Sequence, residues 1–162
     1  MALTSYLSLE GKSQGAIEGD CVQKGREKTI LVQEIAHAVE IPRDLQSGLP
    51  TGQRIHHPFV ITKAIDEASP LLYQACTAGE QMANWELQYF RINETGNEEN
   101  YYTVKLENAI IVNIKHYKPM AFMEENKPFR DMEEVSFTYE KITWTHNIGS
   151  KEASDDWKEP NE

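Results

Sequence analysis

Only one stretch of this chain carries a complete helical signature, and it is short. Ser69 followed by Pro70 suits a helix start, with the serine as cap and the proline at the first position, where its missing N–H goes unneeded. Leu71, Leu72, Ala75 and Cys76 then fall on one narrow stripe, and Gly79 stands where a left-handed terminating glycine belongs. The spacing predicts a helix over about 69–79. After it, every periodic segment has the two-residue alternation of a strand. That pattern confines the chain to a mainly β fold.

Tyr6 to Glu10 alternates and then meets Gly11 and Gly15, a strand running into a loop. Phe59 to Ile65 is another strand, and Trp85 to Ile92 a third, turned by Glu94-Thr95-Gly96-Asn97. Tyr101 to Tyr117 puts Tyr102, Val104, Leu106, Ile110, Val112 and Ile114 on one face. That is longer than an ordinary strand, so a bend or bulge is expected near Asn108-Ala109. Val135 to Tyr139 alternates cleanly, but Ile142 and Trp144 follow on the opposite parity. Either a bulge lies near Glu140-Lys141, or the last strand is covered on both faces.

Two segments are less regular. Thr29 to Ile41 tolerates a helix, but its β-branched residues and the stop at Pro42 favour a strand. Leu31, Ile35 and Val39 share one parity and are expected in the core. Pro42 to Pro58 is different in kind, with three prolines and the run Ser47-Gly48-Leu49-Pro50-Thr51-Gly52. It reads as a long ordered loop, and loops of that length in compact domains are usually functional or disordered. Leu49, Ile55 and two arginines within it make contact with a partner a live expectation. Residues 150–162, with five acids and two lysines, read as an acidic C-terminal tail after a domain of residues 1–149. Trp157 and Pro160 leave room for partial docking of that tail.

Charge and chemistry exclude several functions. Sixteen basic residues against 26 acidic ones give −10, the wrong sign for nucleic acid or anionic lipid. No run approaches 18 apolar residues, and the N-terminus lacks the basic and apolar regions of a cleavable signal peptide. The chain is expected to fold in the cytoplasm with Cys21 and Cys76 reduced. Cys76 belongs to the apolar helix stripe, whereas Cys21, in a polar stretch, has no assignable role. Gly11-Lys12-Ser13-Gln14-Gly15 has the spacing of a nucleophile elbow but no helical pattern behind it. A phosphate loop would need a glycine where Tyr6 stands. His37, His56, His57, His116 and His146 are not at metal-ligand spacing. Glu98-Glu99, Glu124-Glu125 and Glu133-Glu134 read as solvated loop charges. No catalytic residue, metal or cofactor is expected, and the profile suits an assembly subunit over a hydrolase acting through Ser13. A monomeric small-molecule barrel is the alternative.

Three ordered blocks carry a resemblance. The first is Pro50-Thr51-Gly52-Gln53-Arg54-Ile55-His56-His57-Pro58-Phe59, continuing through Thr62-Lys63, Asp66, Ser69-Pro70-Leu71-Leu72 and Gly79-Glu80. The second is Lys105-Leu106-Glu107-Asn108-Ala109, and the third Tyr139-Glu140-Lys141-Ile142-Thr143-Trp144-Thr145-His146 with Asp156-Trp157. Together they resemble the haemolysin-coregulated protein (Hcp) family, the inner-tube subunit of the bacterial type VI secretion system. The resemblance implies a small antiparallel β-barrel of two sheets with one flanking α-helix and an extended loop at 42–58. It implies homohexameric rings stacked head to tail into a tube, driven by a contractile sheath and tipped by a spike protein. The lumen would carry and chaperone small effector proteins. Export by the machine itself, from the bacterial cytoplasm, would account for a missing signal peptide. On this reading Arg43, Asp44, Gln53, Arg54 and His56 contact a partner, and Glu34, Ala36 and Ala38 face the lumen.

Overall fold

The structure, a computed structural model, describes residues 3–159. Met1, Ala2, Pro160, Asn161 and Glu162, at the outer ends of the expected domain and tail, lie outside the described residues. The chain is mainly β. In order it forms β1 (Ser5–Gly11), β2 (Gly15–Ile17), β3 (Ile30–Val32), β4 (Glu34–Ala36), β5 (Val39–Glu40), β6 (Ile55–His56) and β7 (Phe59–Ala64). Then come the helix α1 (Ser69–Ala78), β8 (Met82–Ile92), β9 (Glu98–Glu107), β10 (Ile110–Tyr117), β11 (Met132–Thr138), β12 (Lys141–His146) and β13 (Lys151–Asp156). A seven-stranded sheet runs β13-β12-β9-β8-β1-β2, with β3 also pairing β1. A second sheet runs β10-β11-β7-β4, and β5-β6 pair by themselves. All pairings are antiparallel. The two sheets share one core and are not closed into a continuous ring of hydrogen-bonded strands. Its centre is an edge-to-face stack in which the Trp85 ring lies 5.0 Å from Phe59 and 5.6 Å from Phe137.

The parity defects in the sequence are places where the chain changes sheet. At Gln33 it leaves β1 and joins β7, with Gln33 N–H donating to the Thr62 carbonyl at 2.9 Å. The step costs one residue of register. Ile30 and Val32 therefore point into the core, and beyond the step Ile35 does. Leu31, expected inside, is half-buried, and Val39, also expected inside, is exposed. A second crossing lies at Asn108-Ala109, where Asn108 takes a left-handed φ of 54° and the expected bend becomes a full break between β9 and β10. A shift between Ile111 and Asn113 then turns Val112 outward. The third crossing, at Tyr139-Glu140, carries the chain from β11 to β12. It replaces both the bulge and the two-sided strand that the sequence suggested.

The helix begins and ends where expected, but its first turn is held differently. Gly79 terminates it at φ 66°, with its N–H and the next folding back on Cys76 and Ala75 carbonyls. At the other end Ser69 makes no cap. The Asp66 carboxylate accepts from Ala68 N–H at 3.0 Å, and the Ser69 hydroxyl turns inward to donate to Glu133 at 2.7 Å. Glu133 is not a solvated loop residue: it lies fully buried on β11 and ion-pairs with the equally buried Lys63 of β7. Lys63 Nζ also lies 2.9 Å from Asp66 and 3.2 Å from Ser69 Oγ. This cluster bolts the start of α1 to two central strands. The segment 151–156, read as solvated tail, is β13, an edge strand pairing with β12 from Lys141↔Asp156 to His146↔Lys151. Its side chains are mostly exposed, so its hydrogen bonds, not its apolar content, hold it.

Removing one member of a buried ion pair strands the other charge. Lys63→Ala is expected to cost about 3–5 kcal/mol, read as a lower urea midpoint. Lys63→Met combined with Glu133→Leu is expected to cost less than Lys63→Ala alone. A single variant within about 1 kcal/mol of the parent contradicts the bolting role.

Candidate functional site

The long loop is a hydrogen-bonded finger. Its base is the β5-β6 pair, Val39↔His56 and Glu40↔Ile55, with His57 N–H donating to the Ala38 carbonyl at 3.0 Å. Its shaft is closed by a bridge between Arg43 and Pro50 and by Thr51 N–H donating to the Pro42 carbonyl at 2.7 Å. At the tip, the Asp44 carboxylate accepts from Gln46 N–H at 3.1 Å and from the Ser47 hydroxyl at 3.0 Å. Those bonds, the backbone one foremost, hold its carboxyl below the usual range. Gly48 supplies the left-handed residue at φ 75°. The finger carries Leu45 at 98% and Leu49 at 65% exposure.

The finger's root is fastened by a chain of polar groups. Arg54 Nε donates to Asp155 Oδ2 at 2.6 Å, and Nη2 reaches the Asp156 and Glu159 carbonyls at 2.9 and 2.8 Å. His56 Nε2 lies 2.6 Å from the same Asp155 oxygen, and its Nδ1 2.6 Å from the Tyr139 hydroxyl. His37 Nε2 meets that hydroxyl from the other side at 2.7 Å. The Trp157 indole N–H donates to the Tyr139 carbonyl, and its ring packs on His56 at 5.7 Å between centroids.

Proton arithmetic orders this chain. Asp155 is an acceptor, so His56 Nε2 carries a hydrogen, and the Tyr139 hydroxyl bridges His56 Nδ1 and His37 Nε2. The phenolic hydroxyl donates to one of these two ring nitrogens and accepts from the other. The Arg54 hydrogen bond holds the Asp155 carboxyl below its ordinary value, against the opposing effect of burial. His37 is lowered to about 4, by burial first and then by His56 and His57. Burial raises Tyr139, so its proton stays on.

The residues expected at a partner interface divide. Arg43, Asp44 and Gln53 are exposed on the finger. Arg54 and His56 turn inward, their side chains only 9% and 1% exposed, and fasten the finger to β13. Glu34, Ala36 and Ala38 are exposed, while Ile35 and His37 between them turn inward. Tyr139 and Asp155 have no local signal, since His56 and Asp155 stand 99 positions apart. Ser13 lies in the tight turn joining β1 to β2, with no helix after it. Among the described residues no cluster of three His, Cys, Asp or Glu is placed to hold a metal.

Comparison with known proteins covers nearly all of the chain. The profile of the family described as "Type VI secretion system effector, Hcp" matches residues 6–146. The Major exported protein of Pseudomonas aeruginosa is 47% identical over 169 residues, spanning 99% of this chain and 98% of that protein. Among solved structures, one described as an Hcp protein superposes with a TM-score of 0.91 at 37% identity, over 98% of this chain and 100% of that one. A variant of the Hcp1 protein of E. coli EAEC 042 superposes with a TM-score of 0.84 at 36% identity, over 96% and 99%.

Tyr139→Phe deletes the hydroxyl between the two imidazoles and leaves buried ring nitrogens unpaired. It is expected to cost about 1–3 kcal/mol and to speed amide exchange at Val39, Glu40 and His57 more than in α1. Equal acceleration in both contradicts local fastening. His37 resists protonation in the folded state, so its contribution is complete above pH 6.5 and is lost as pH falls towards 4. The urea midpoint is therefore expected to fall over that interval, and to fall less in His37→Gln. An equal decline in both chains assigns the effect elsewhere.

Proposed function

This chain belongs to the Hcp family of type VI secretion proteins, and we propose that it builds the expelled inner tube of that machine, six copies closing into a ring and rings stacking head to tail. The observation that carries the reading is the hydrogen-bonded finger on a chain that matches the family profile over residues 6–146 and superposes on an Hcp structure over 98% of its length. A ring that also stacks needs different faces of one subunit to meet, a heterologous arrangement. A finger fastened at its root and apolar at its tip suits one side of such a contact. Arg43, Asp44 and Gln53 are its polar contacts, and Glu34, Ala36 and Ala38 face the lumen, where short side chains accept varied effectors. The protein works without catalysis or cofactor. Its partners are copies of itself, the contractile sheath, the spike protein and effector cargo. It is made in the bacterial cytoplasm and leaves through the machine.

The monomeric small-molecule barrel needs an interior cavity, and here Trp85, Phe59 and Phe137 fill the space between the sheets.

Light scattering after size exclusion is expected to give six copies of an 18.6 kDa chain, about 112 kDa. Electron microscopy of that peak should show open rings. A monomer over a wide concentration range overturns the reading. Six chains at −10 sum to about −60, and screening shortens that repulsion to about 8 Å at physiological ionic strength. Stacking is therefore expected to increase with salt in sedimentation, and tubes favoured by low salt contradict this.

A further inference from the structure

The two legs of the finger meet at one hydroxyl, and protons decide whether they stay there. His37 stands at the foot of one leg, just before β5, and His56 in β6 at the foot of the other. Their ring nitrogens lie 2.7 and 2.6 Å from the Tyr139 oxygen. The hydroxyl donates to one nitrogen and accepts from the other, so one of the two must be bare. With a hydrogen on both, the hydroxyl proton has no acceptor and two cationic rings face one oxygen. Tyr139 is buried, where a stranded O–H and facing like charges are both costly.

The groups around the bridge make it weaker on one side. His56 turns its other nitrogen to Asp155 at 2.6 Å, so a charged His56 keeps a counterion, shared with Arg54. His37 pairs with no carboxylate among the described residues. It faces the Tyr139 hydroxyl, the Phe59 ring at 4.9 Å between centroids, and the imidazoles of His56 and His57. The Glu40 carboxylate on the same leg is taken by His57 at 2.8 Å. An imidazole ordinarily charges between pH 8 and 5. Burial first, then the two neighbouring imidazoles, hold His37 down to about 4. Its contribution to the closed root is therefore complete above pH 6.5 and is withdrawn as pH falls towards 4. Arg54 holds the Asp155 carboxyl below its ordinary range, so the tie to β13 outlasts the bridge. Near the bridge the legs are otherwise joined by only two rungs, Val39↔His56 and Glu40↔Ile55, and by His57 N–H on the Ala38 carbonyl. The shaft has its own closure, Thr51 N–H on the Pro42 carbonyl, which involves no titrating group.

We infer that the finger root is an acid-opened latch: when His37 and His56 are both charged, the His37 leg parts from the Tyr139 corner and from the β5-β6 ladder, while Arg54 keeps the other leg on β13. The opening is local, and the apolar core between the two sheets stays folded. The latch belongs to a single chain and does not depend on how copies assemble.

The test is amide exchange of the full chain at about pH 7 and about pH 4, read by mass spectrometry, with each rate divided by its intrinsic value at that pH. Exchange of the imidazole C2 hydrogens in the same samples gives each ring its own titration midpoint. In the parent, protection of the peptide holding His57 is expected to fall at least tenfold at the lower pH. Peptides holding Thr51 in the shaft and Leu72 in α1 are expected to keep theirs. In His37→Gln the side-chain amide still bonds the hydroxyl but takes no charge, and the root is expected to stay protected to within about twofold. Root opening in the parent is expected to follow the midpoint of His37. A parent root that stays protected at pH 4 overturns the latch. So does equal loss in His37→Gln, which assigns the opening to another group, and so does loss at Leu72 together with His57, which is acid unfolding of the whole chain. An opening at a pH where His37 does not titrate overturns it in the parent alone, without recourse to the variant.

Discussion

The finger depends on one phenolic oxygen. The Tyr139 hydroxyl bridges His56 Nδ1 and His37 Nε2, and among the described residues nothing else offers those two nitrogens a partner. It stands at the corner where the backbone passes from β11 to β12. His56 belongs to the base of the finger and His37 to the segment leaving β4. Through Asp155 the same chain reaches β13 and Arg54. Three segments distant in sequence therefore meet at one atom, and a fourth, β13, joins them through His56. A hydroxyl has one proton to give, so it donates to one ring and accepts from the other, and the two bonds are set together.

Much of the fold is legible from local pattern, because the residues concerned act through their own neighbours. Pro70 and Gly79 bracket the helix by backbone chemistry alone, and the proline-rich run from 42 to 58 is an ordered projection. The sheet crossings were visible only as faults. Each of the segments 29–41, 101–117 and 135–144 alternates as one strand with a slipped parity. A bulge and a change of sheet leave the same mark, because alternation records which side is buried but not which strand lies alongside. Leu31 and Val112 were misplaced for that reason, and Val39 because it leaves both sheets for the β5-β6 pair.

The binding chemistry was less legible. Arg54 and His56 have the composition of an interface, yet their partner is the chain's own C-terminal strand about a hundred positions away. That strand, Lys151–Asp156, is polar on both faces and so lacks the apolar rhythm of a buried strand. Its pairing with β12 and the single carboxylate of Asp155 are tertiary facts. The converse holds for Ser69 and Glu133, which read as a cap and a surface charge. The buried ammonium of Lys63 draws both inward, a pull that local spacing does not report.

The two polar clusters occupy opposite ends of the same strands. Lys63 and Glu133 lie near the 118–131 end, and Tyr139 follows the other end of β11. Between them β7 and β11 run antiparallel, with hydrogen bonds across the strand direction. A force applied to the finger travels along those strands and meets their bonds side by side, in shear. Such a ladder yields only when many bonds fail together, whereas a sheet peeled from its edge opens one bond at a time. The subunit is thus built as a strut, stiff along the strands that join its two polar clusters.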